Sequence, residues 1–287
     1  MAAIWLNGQL VEDDRARISV HDRGLTLGDG LFETMRAYDG RVFRLEAHLR
    51  RLRDGAIRIG LPLPDNLADA VRQTVEANGF DDAVVRLTVS RGVGGHGAEP
   101  PERPSPTVIV TARPCAPLAR WYERGARASV AASRLNEHSA TVGLKHLGFL
   151  DRIMARAEAR DAGFDEALLL NTAGWLAEGT VSNVFLVVNG ALHTPPLSCG
   201  PLPGITRAAV IELAAGRALD ASEQACAPEL LTRAEEAFLT NSVWEIVPLI
   251  GVDSRPIGDG RPGPLTLGLL AAYRALVRHD GGEPGRT

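Results

Sequence analysis

Lysine is almost missing from this chain. Of the 31 basic residues among 287, thirty are Arg and one is Lys, Lys145. A coding bias toward Arg and Ala accounts for the scarcity but not for the survivor. Arginine stays protonated and cannot form an imine, whereas a lysine amine can lose its proton and attack a carbonyl. A chain that uses Arg wherever a cation suffices keeps Lys where amine chemistry is required; a solvated surface charge is the plainer alternative. A basic surplus is missing too. The net charge of −4 lacks what binding to a phosphate backbone requires, which argues against nucleic acid as a partner. No apolar run is long enough to cross a bilayer. The first residues, Met1 to Gly8, lack the basic flank and apolar stretch of a secretory signal, so a cytoplasmic location is expected. Cys115, Cys199 and Cys226 are odd in number and form no C-x-x-C pair, which suggests neither a disulfide framework nor a zinc site. The histidines show no metal-ligand spacing, so no metal is expected. With 45% hydrophobic and 23% charged residues, the chain reads as globular, long enough for two domains.

The pattern along the chain is α+β. Asn7-Gly8 predicts a hairpin turn between two short strands, and Gly30 to Tyr38 reads as a strand returning through Asp39-Gly40. Helical spacing covers Glu46 to Ile59 and Leu67 to Asn78, the latter stopped by Gly79. Ala83 to Ser90 and Thr107 to Thr111 read as strands around a Gly- and Pro-rich loop. That loop superficially resembles a dinucleotide-binding turn, but Pro100 and Pro101 follow it instead of a helix, so that reading fails. The Pro-containing stretch Ala112 to Pro117 suggests a boundary: a small domain at 1–117, a linker at 118–127, a large domain at 128–278 and a mobile tail at 279–287. In the second part, Asp151 to Ala162, Thr206 to Leu219 and Leu265 to Val277 read as helices. Hairpin turns are expected at Thr172-Ala173-Gly174 and Asn189-Gly190.

Three local features carry chemistry. Lys145 lies in a loop or strand end just before a helix. Glu178 follows on a hairpin strand, where a carboxylate can also be merely exposed. Gly200 to Arg207 runs into a helix that Thr206 can cap, with free amides and the positive end of the helix dipole forming a phosphate site; a plain Pro-Gly turn gives the same pattern. A reactive amine, a strand-borne carboxylate and a phosphate cup are the parts needed to hold pyridoxal phosphate.

Asp22 to Thr34, the Lys145 segment, Glu178 to Phe185, Leu202 to Arg207 and Thr240 to Pro248 resemble, in order, the motifs of the class IV aminotransferases. The resemblance spans about residues 4 to 278. It implies a two-domain fold type IV architecture, like that of D-amino acid aminotransferase, with the cofactor between the domains, and a homodimer. It implies that Lys145 carries the Schiff base and moves protons, and that Glu178 pairs with the pyridine nitrogen. By it, Arg51, Ile205, Thr206 and Ser242 hold the phosphate. The segment Gly143 to Leu147, Leu150 where transaminases usually carry Tyr, and Thr34 and Asn241 are similar to aminodeoxychorismate lyase. The expected activity is therefore conversion of 4-amino-4-deoxychorismate to 4-aminobenzoate and pyruvate, in folate biosynthesis, with Thr34 and Asn241 orienting the substrate. Leu202 to Arg207 and Gly258 to Pro264 resemble the branched-chain enzymes equally, so the alternative is an aminotransferase acting on branched-chain or D-amino acids, or on amines. Arg36, Arg91 and His96 are candidates to meet a substrate carboxylate, or to form structural ion pairs. A cofactor-binding scaffold without turnover is the remaining alternative, against which the joint presence of Lys145 and Glu178 argues.

Overall fold

The largely buried strands Gly30–Tyr38 and Asp82–Ser90 form the centre of the first of two sheets. The computed structural model describes residues 2–116 and 119–280. They divide into two units: residues 2–116 with Leu144–Gly148 and Asp280, and residues 119–143 with 149–279.

The first unit is a six-stranded antiparallel sheet. Its strands β1 (Ala3–Leu6), β2 (Gln9–Glu12), β3 (Gly30–Tyr38), β4 (Arg41–Val42), β5 (Asp82–Ser90) and β6 (Thr107–Pro114) lie in the order β2-β1-β6-β5-β3-β4. A short helix, α1 (Arg23–Leu27), precedes β3. The helices α2 (Leu45–Arg58) and α3 (Leu67–Asn78) bury Leu49, Leu52 and Val71 against Leu31, Met35, Val85 and Leu87 of one sheet face. Full burial of each such side chain contributes roughly 2 kcal/mol. The first hairpin turns on Asn7 and Gly8, both at positive φ, and Gly79 ends α3 in the left-handed conformation.

The second unit is a nine-stranded mixed sheet. Strands β7 (Ala126–Leu135), β8 (Glu166–Asn171), β9 (Leu176–Gly179), β10 (Asn183–Val188), β11 (Ala191–Thr194), β12 (Ala221–Glu223), β13 (Glu236–Asn241) and β14 (Glu245–Val252) run in the order β12-β11-β10-β13-β14-β7-β8-β9, with β15 (Arg255–Pro256) paired to β14. Its helices are α4 (Ala119–Arg124), α5 (Leu150–Asp161), α6 (Ile205–Ala215), α7 (Leu230–Arg233) and α8 (Pro264–Asp280). The α+β class with two sheets is as the resemblance implied.

Three details differ from the reading of the sequence. Where a linker was expected at 118–127, Ala119–Arg124 form α4 and β7 begins at Ala126. Trp121 packs edge-on against Trp244, and the Tyr122 hydroxyl donates to the Trp244 carbonyl, which docks this segment as structure. The expected tail starts at 279, but α8 continues to Asp280; residues 281–287 lie outside the described residues, as do Met1, Pro117 and Leu118. Thr206 does not cap α6. Gly204 occupies the N-cap position, and Thr206 sits inside the first turn. Among the described residues, no helix is long and apolar enough to cross a membrane.

Candidate active site

The segment carrying Lys145 is built onto the edge of the first sheet. The Phe32 amide donates to the Lys145 carbonyl (2.9 Å), and the Leu147 amide donates to the Gly30 carbonyl (3.0 Å). The close approach requires glycine. A Cβ on Gly30 would stand 2.5 Å from the Val89 carbonyl and 2.8 Å from Leu147 Cδ1, and one on Gly24 would meet Ser90 Cβ at 2.6 Å and Leu147 Cδ1 at 3.1 Å. The Gly-containing motif at Asp22–Gly30 thus makes room for the lysine segment. Asp22 fixes that motif by accepting from the Gly24 amide and the Thr107 hydroxyl, each at 2.7 Å. Lys145 Nζ lies 4.5 Å from the centroid of the Phe32 ring, and the Arg86 guanidinium carbon lies 3.8 Å from the same centroid, within cation–π range.

Strand alternation sorts the neighbours of Phe32. Thr34 pairs with Arg86 across β3 and β5, so Phe32, Thr34 and Arg86 share the sheet face opposite the helices. Arg86 has no carboxylate partner among the described residues, so its cation is available to a carboxylate from outside. Glu33 points the other way and is wholly buried. Its Oε1 accepts from Arg51 Nε (2.8 Å), and its Oε2 accepts from Arg51 Nη2 (2.6 Å) and His48 Nδ1 (2.7 Å). Burial alone would raise this carboxyl's pKa; the Arg51 charge and the hydrogen bonds outweigh it and bring the value down to about 2. Burial pushes His48 below its usual range, which leaves a neutral ring whose Nδ1–H donates to the carboxylate. Arg51, the expected phosphate ligand on α2, is therefore held in a fixed orientation.

In the second unit, the Glu178 side chain is 3% exposed on β9. Its Oε1 accepts from Arg152 Nη2 (2.6 Å), and its Oε2 accepts from the Leu202 amide (3.0 Å). Asn183 Nδ2 donates to the Leu202 carbonyl at 2.9 Å, so Leu202 is held from both ends of its backbone just before α6. Gly204 is sterically required there, since a Cβ would fall 1.9 Å from Asn183 Oδ1. No side chain caps α6. Its first-turn amides, those of Ile205 and Thr206 among them, have no intrahelical partner. The Thr206 hydroxyl, on a residue 1% exposed, has no hydrogen-bond partner among the described residues, and neither does that of Thr240. Thr240 is the cross-strand neighbour of Asn183, on β13, against which α6 packs.

These features fit pyridoxal phosphate. An uncapped helix start with a buried, unpartnered hydroxyl is what a phosphate dianion satisfies. A strand-borne carboxylate with two donors retains lone pairs for a third. Among the described residues, no group of three or more His, Cys, Asp or Glu side chains could hold a metal ion.

The other expected residues are placed differently. Arg36 forms a two-pronged ion pair with Asp82 (2.8 and 2.6 Å) and stacks on Tyr38. Arg91 is buried, donating to Asp29 and to the carbonyls of Gly60 and Ile59, so it ties the start of the loop after β5 to Asp29 and to the chain just past α2. His96 is exposed on that loop, beside the Gly95 carbonyl. Asn241 uses both ends of its amide: Oδ1 accepts from the Val243 and Trp244 amides, and Nδ2 donates to the Val181 carbonyl. It shapes the turn between β13 and β14, where Ser242 also sits. Two residues went unread in the sequence, Arg86 and Arg152. For Arg86 a signal existed, a lone charge inside the apolar strand Ala83–Ser90; for Arg152, whose partner is 26 residues away, none did.

A family model described as amino-transferase class IV matches residues 30–251. A putative branched-chain-amino-acid aminotransferase of Methanocaldococcus jannaschii is 39% identical over 277 residues, covering 95% of this chain and 96% of that protein. A T.th. branched-chain amino acid aminotransferase, solved with pyridoxamine 5'-phosphate, superposes with a TM-score of 0.92 at 30% identity, covering 98% of this chain and 95% of that one. The 4-amino-4-deoxychorismate lyase of Pseudomonas aeruginosa gives a TM-score of 0.84 at 35% identity, covering 95% and 98% of the two chains. With the lysine mount, the strand-borne carboxylate and the open helix start in these positions, the chain belongs to the class IV aminotransferases, and its cofactor is pyridoxal phosphate.

Proposed function

We propose that this protein is a transaminase that moves the amino group of a branched-chain amino acid to a 2-oxo acid. The observation that carries the reading is likeness along the whole chain to proteins named branched-chain aminotransferases, at 39% identity for the archaeal relative. This reverses the order expected from the Lys145 segment, which favoured the lyase. The lyase remains the second reading because Thr34 stands beside Arg86 and because the Pseudomonas lyase is 35% identical. The engaged amide of Asn241 counts against it, since that residue was to orient the lyase's substrate.

When bound, pyridoxal phosphate supplies an aldehyde carbon and an electron-accepting ring. The chain's own residues do the rest. Lys145 Nζ removes the proton from the substrate carbon that bears nitrogen. Glu178 holds a proton at the ring nitrogen by its negative charge. The Ile205 and Thr206 amides, the Thr206 hydroxyl, Ser242 and the Glu33-oriented Arg51 bind the phosphate. Arg86 offers its cation to a substrate carboxylate on the face it shares with Thr34. The protein acts as a homodimer in this reading. Ile18, Val20, Leu25, Leu27 and Val93 of the first unit are each 45–70% exposed, and burying such apolar side chains favours association with a second copy.

The test is direct. Holoenzyme incubated with valine, leucine or isoleucine and 2-oxoglutarate forms glutamate. Release of 4-aminobenzoate and pyruvate from aminodeoxychorismate, with no glutamate in the first assay, overturns the transaminase reading. Paired L- and D-substrates assign the stereochemistry.

A further inference from the structure

Helix α5 presents two arginines, one turn apart, to two buried carboxylates. Arg156 Nη1 meets Glu166 Oε1 at 2.9 Å, and Arg152 Nη2 meets Glu178 Oε1 at 2.6 Å. The two pairs are not equivalent. Glu166 serves the loop: besides Arg156, its Oε1 accepts from the Thr180 hydroxyl and the Ala167 and Thr180 amides, and its Oε2 accepts from the Ser182 hydroxyl, so its charge is used in shaping the 179–182 loop. Glu178 takes one donor on each oxygen, from Arg152 and the Leu202 amide. Each oxygen therefore has a lone pair left for a further donor. Arg152 itself is fixed, because Nη1 also donates to the Gly179 and Thr180 carbonyls (3.3 and 3.2 Å) and its guanidinium lies over the Phe149 ring.

We propose that Arg152 is a positioning residue that sets where the proton between Glu178 and the cofactor's ring nitrogen resides. The proposal rests on the reading that Glu178 meets that nitrogen. A proton shared by the two groups sits either on nitrogen, beside a charged carboxylate, or on oxygen, with both groups neutral. A guanidinium in contact with the carboxylate lowers the energy of the first arrangement. It opposes the nitrogen's positive charge less, because that charge lies beyond the carboxylate. Arg152 thus holds the Glu178 carboxylate aimed, and the proton stays on nitrogen. Arg156, one turn away on a carboxylate bound into the 179–182 loop, has no such effect.

Holoenzyme reconstituted with pyridoxal phosphate labelled with nitrogen-15 in the ring reads the protonation directly, since the resonance of a protonated ring nitrogen lies far from that of a neutral one. In Arg152→Gln and Arg152→Met the resonance is expected to move toward the neutral position at pH 7, with proton affinity at nitrogen lowered roughly tenfold. Arg152→Lys, which keeps the charge, returns it most of the way. Arg156→Gln lowers thermal stability and leaves the resonance in place. A wild-type resonance in both neutral Arg152 variants, with Glu178→Gln displaced, overturns the proposal while preserving the role of Glu178. An undisplaced resonance in Glu178→Gln overturns that role and the proposal with it. If the neutral variants do not fold, an Arg152→Lys resonance displaced as far as that of Glu178→Gln also overturns the proposal.

Discussion

Glu33→Gln removes one charge from the buried trio of the first unit while keeping the side chain's shape. The Glu33 carboxyl, held at about 2 in the folded protein, has an ordinary value of 4.5. Because the folded value is the lower one, the carboxylate stabilises the fold fully above pH 4.5, and the contribution is lost as pH falls from there toward 2. The difference corresponds to about 3 kcal/mol. The amide cannot accept both arms of Arg51 and also the His48 proton, and breaking a buried ion pair from one side typically costs about 3–5 kcal/mol. Urea unfolding followed by circular dichroism, at intervals from pH 7 to pH 3, measures both effects. At pH 7 the variant is expected to be about 3 kcal/mol less stable. Its stability falls less steeply than that of the wild type below pH 4.5, since one native carboxylate has ceased to titrate. Equal stability at pH 7, or parallel curves through the acid range, would refute the assignment of Glu33 as the ionised anchor of Arg51.

Three further changes probe the site. Lys145→Ala should abolish covalent trapping of the cofactor by borohydride, because no other residue of the chain offers a lysine amine; a retained adduct on mass spectrometry rejects Lys145 as the attachment point. Thr206→Val should weaken cofactor binding about tenfold in a fluorescence titration, the worth of one hydrogen bond to a charged group, while leaving the apoprotein's melting temperature unchanged or higher. Unaltered affinity would remove Thr206 from the phosphate site. Gly30→Ala forces a Cβ against the Val89 carbonyl and Leu147 and should cost about 1–3 kcal/mol in thermal unfolding. A wild-type melting temperature counts against the tight seat of the Lys145 segment.

Much of the local architecture was legible because it is encoded locally. Asn189-Gly190 turns the hairpin between β10 and β11 with both residues at positive φ, and the apolar spacing of Leu67 to Asn78 gave the full extent of α3. The start of α6 was legible as a loop running into a helix, but not its cap. Asn183, distant in sequence, lies against Gly204 and decides which residue can occupy that position. Glu178 was picked out by motif and strand position, whereas Arg152 belongs to a different element, and no periodicity connects the two. The same limit explains Arg36, Arg91 and Asn241. Their residue types suit a substrate, but Asp82, Asp29 and the turn backbone reach them first through contacts that only the folded chain creates.

The attachment of Leu144–Gly148 to β3 has a consequence for assembly. All strands of the first sheet are complete by Pro114, yet the Gly30 carbonyl and the Phe32 amide find their partners in Leu147 and Lys145. A nascent chain stopped at Ala116 therefore carries an unfinished sheet edge, open to pairing with other chains. The only lysine becomes seated as that edge closes, so the placing of its amine and the covering of an open edge are one event in the birth of the protein.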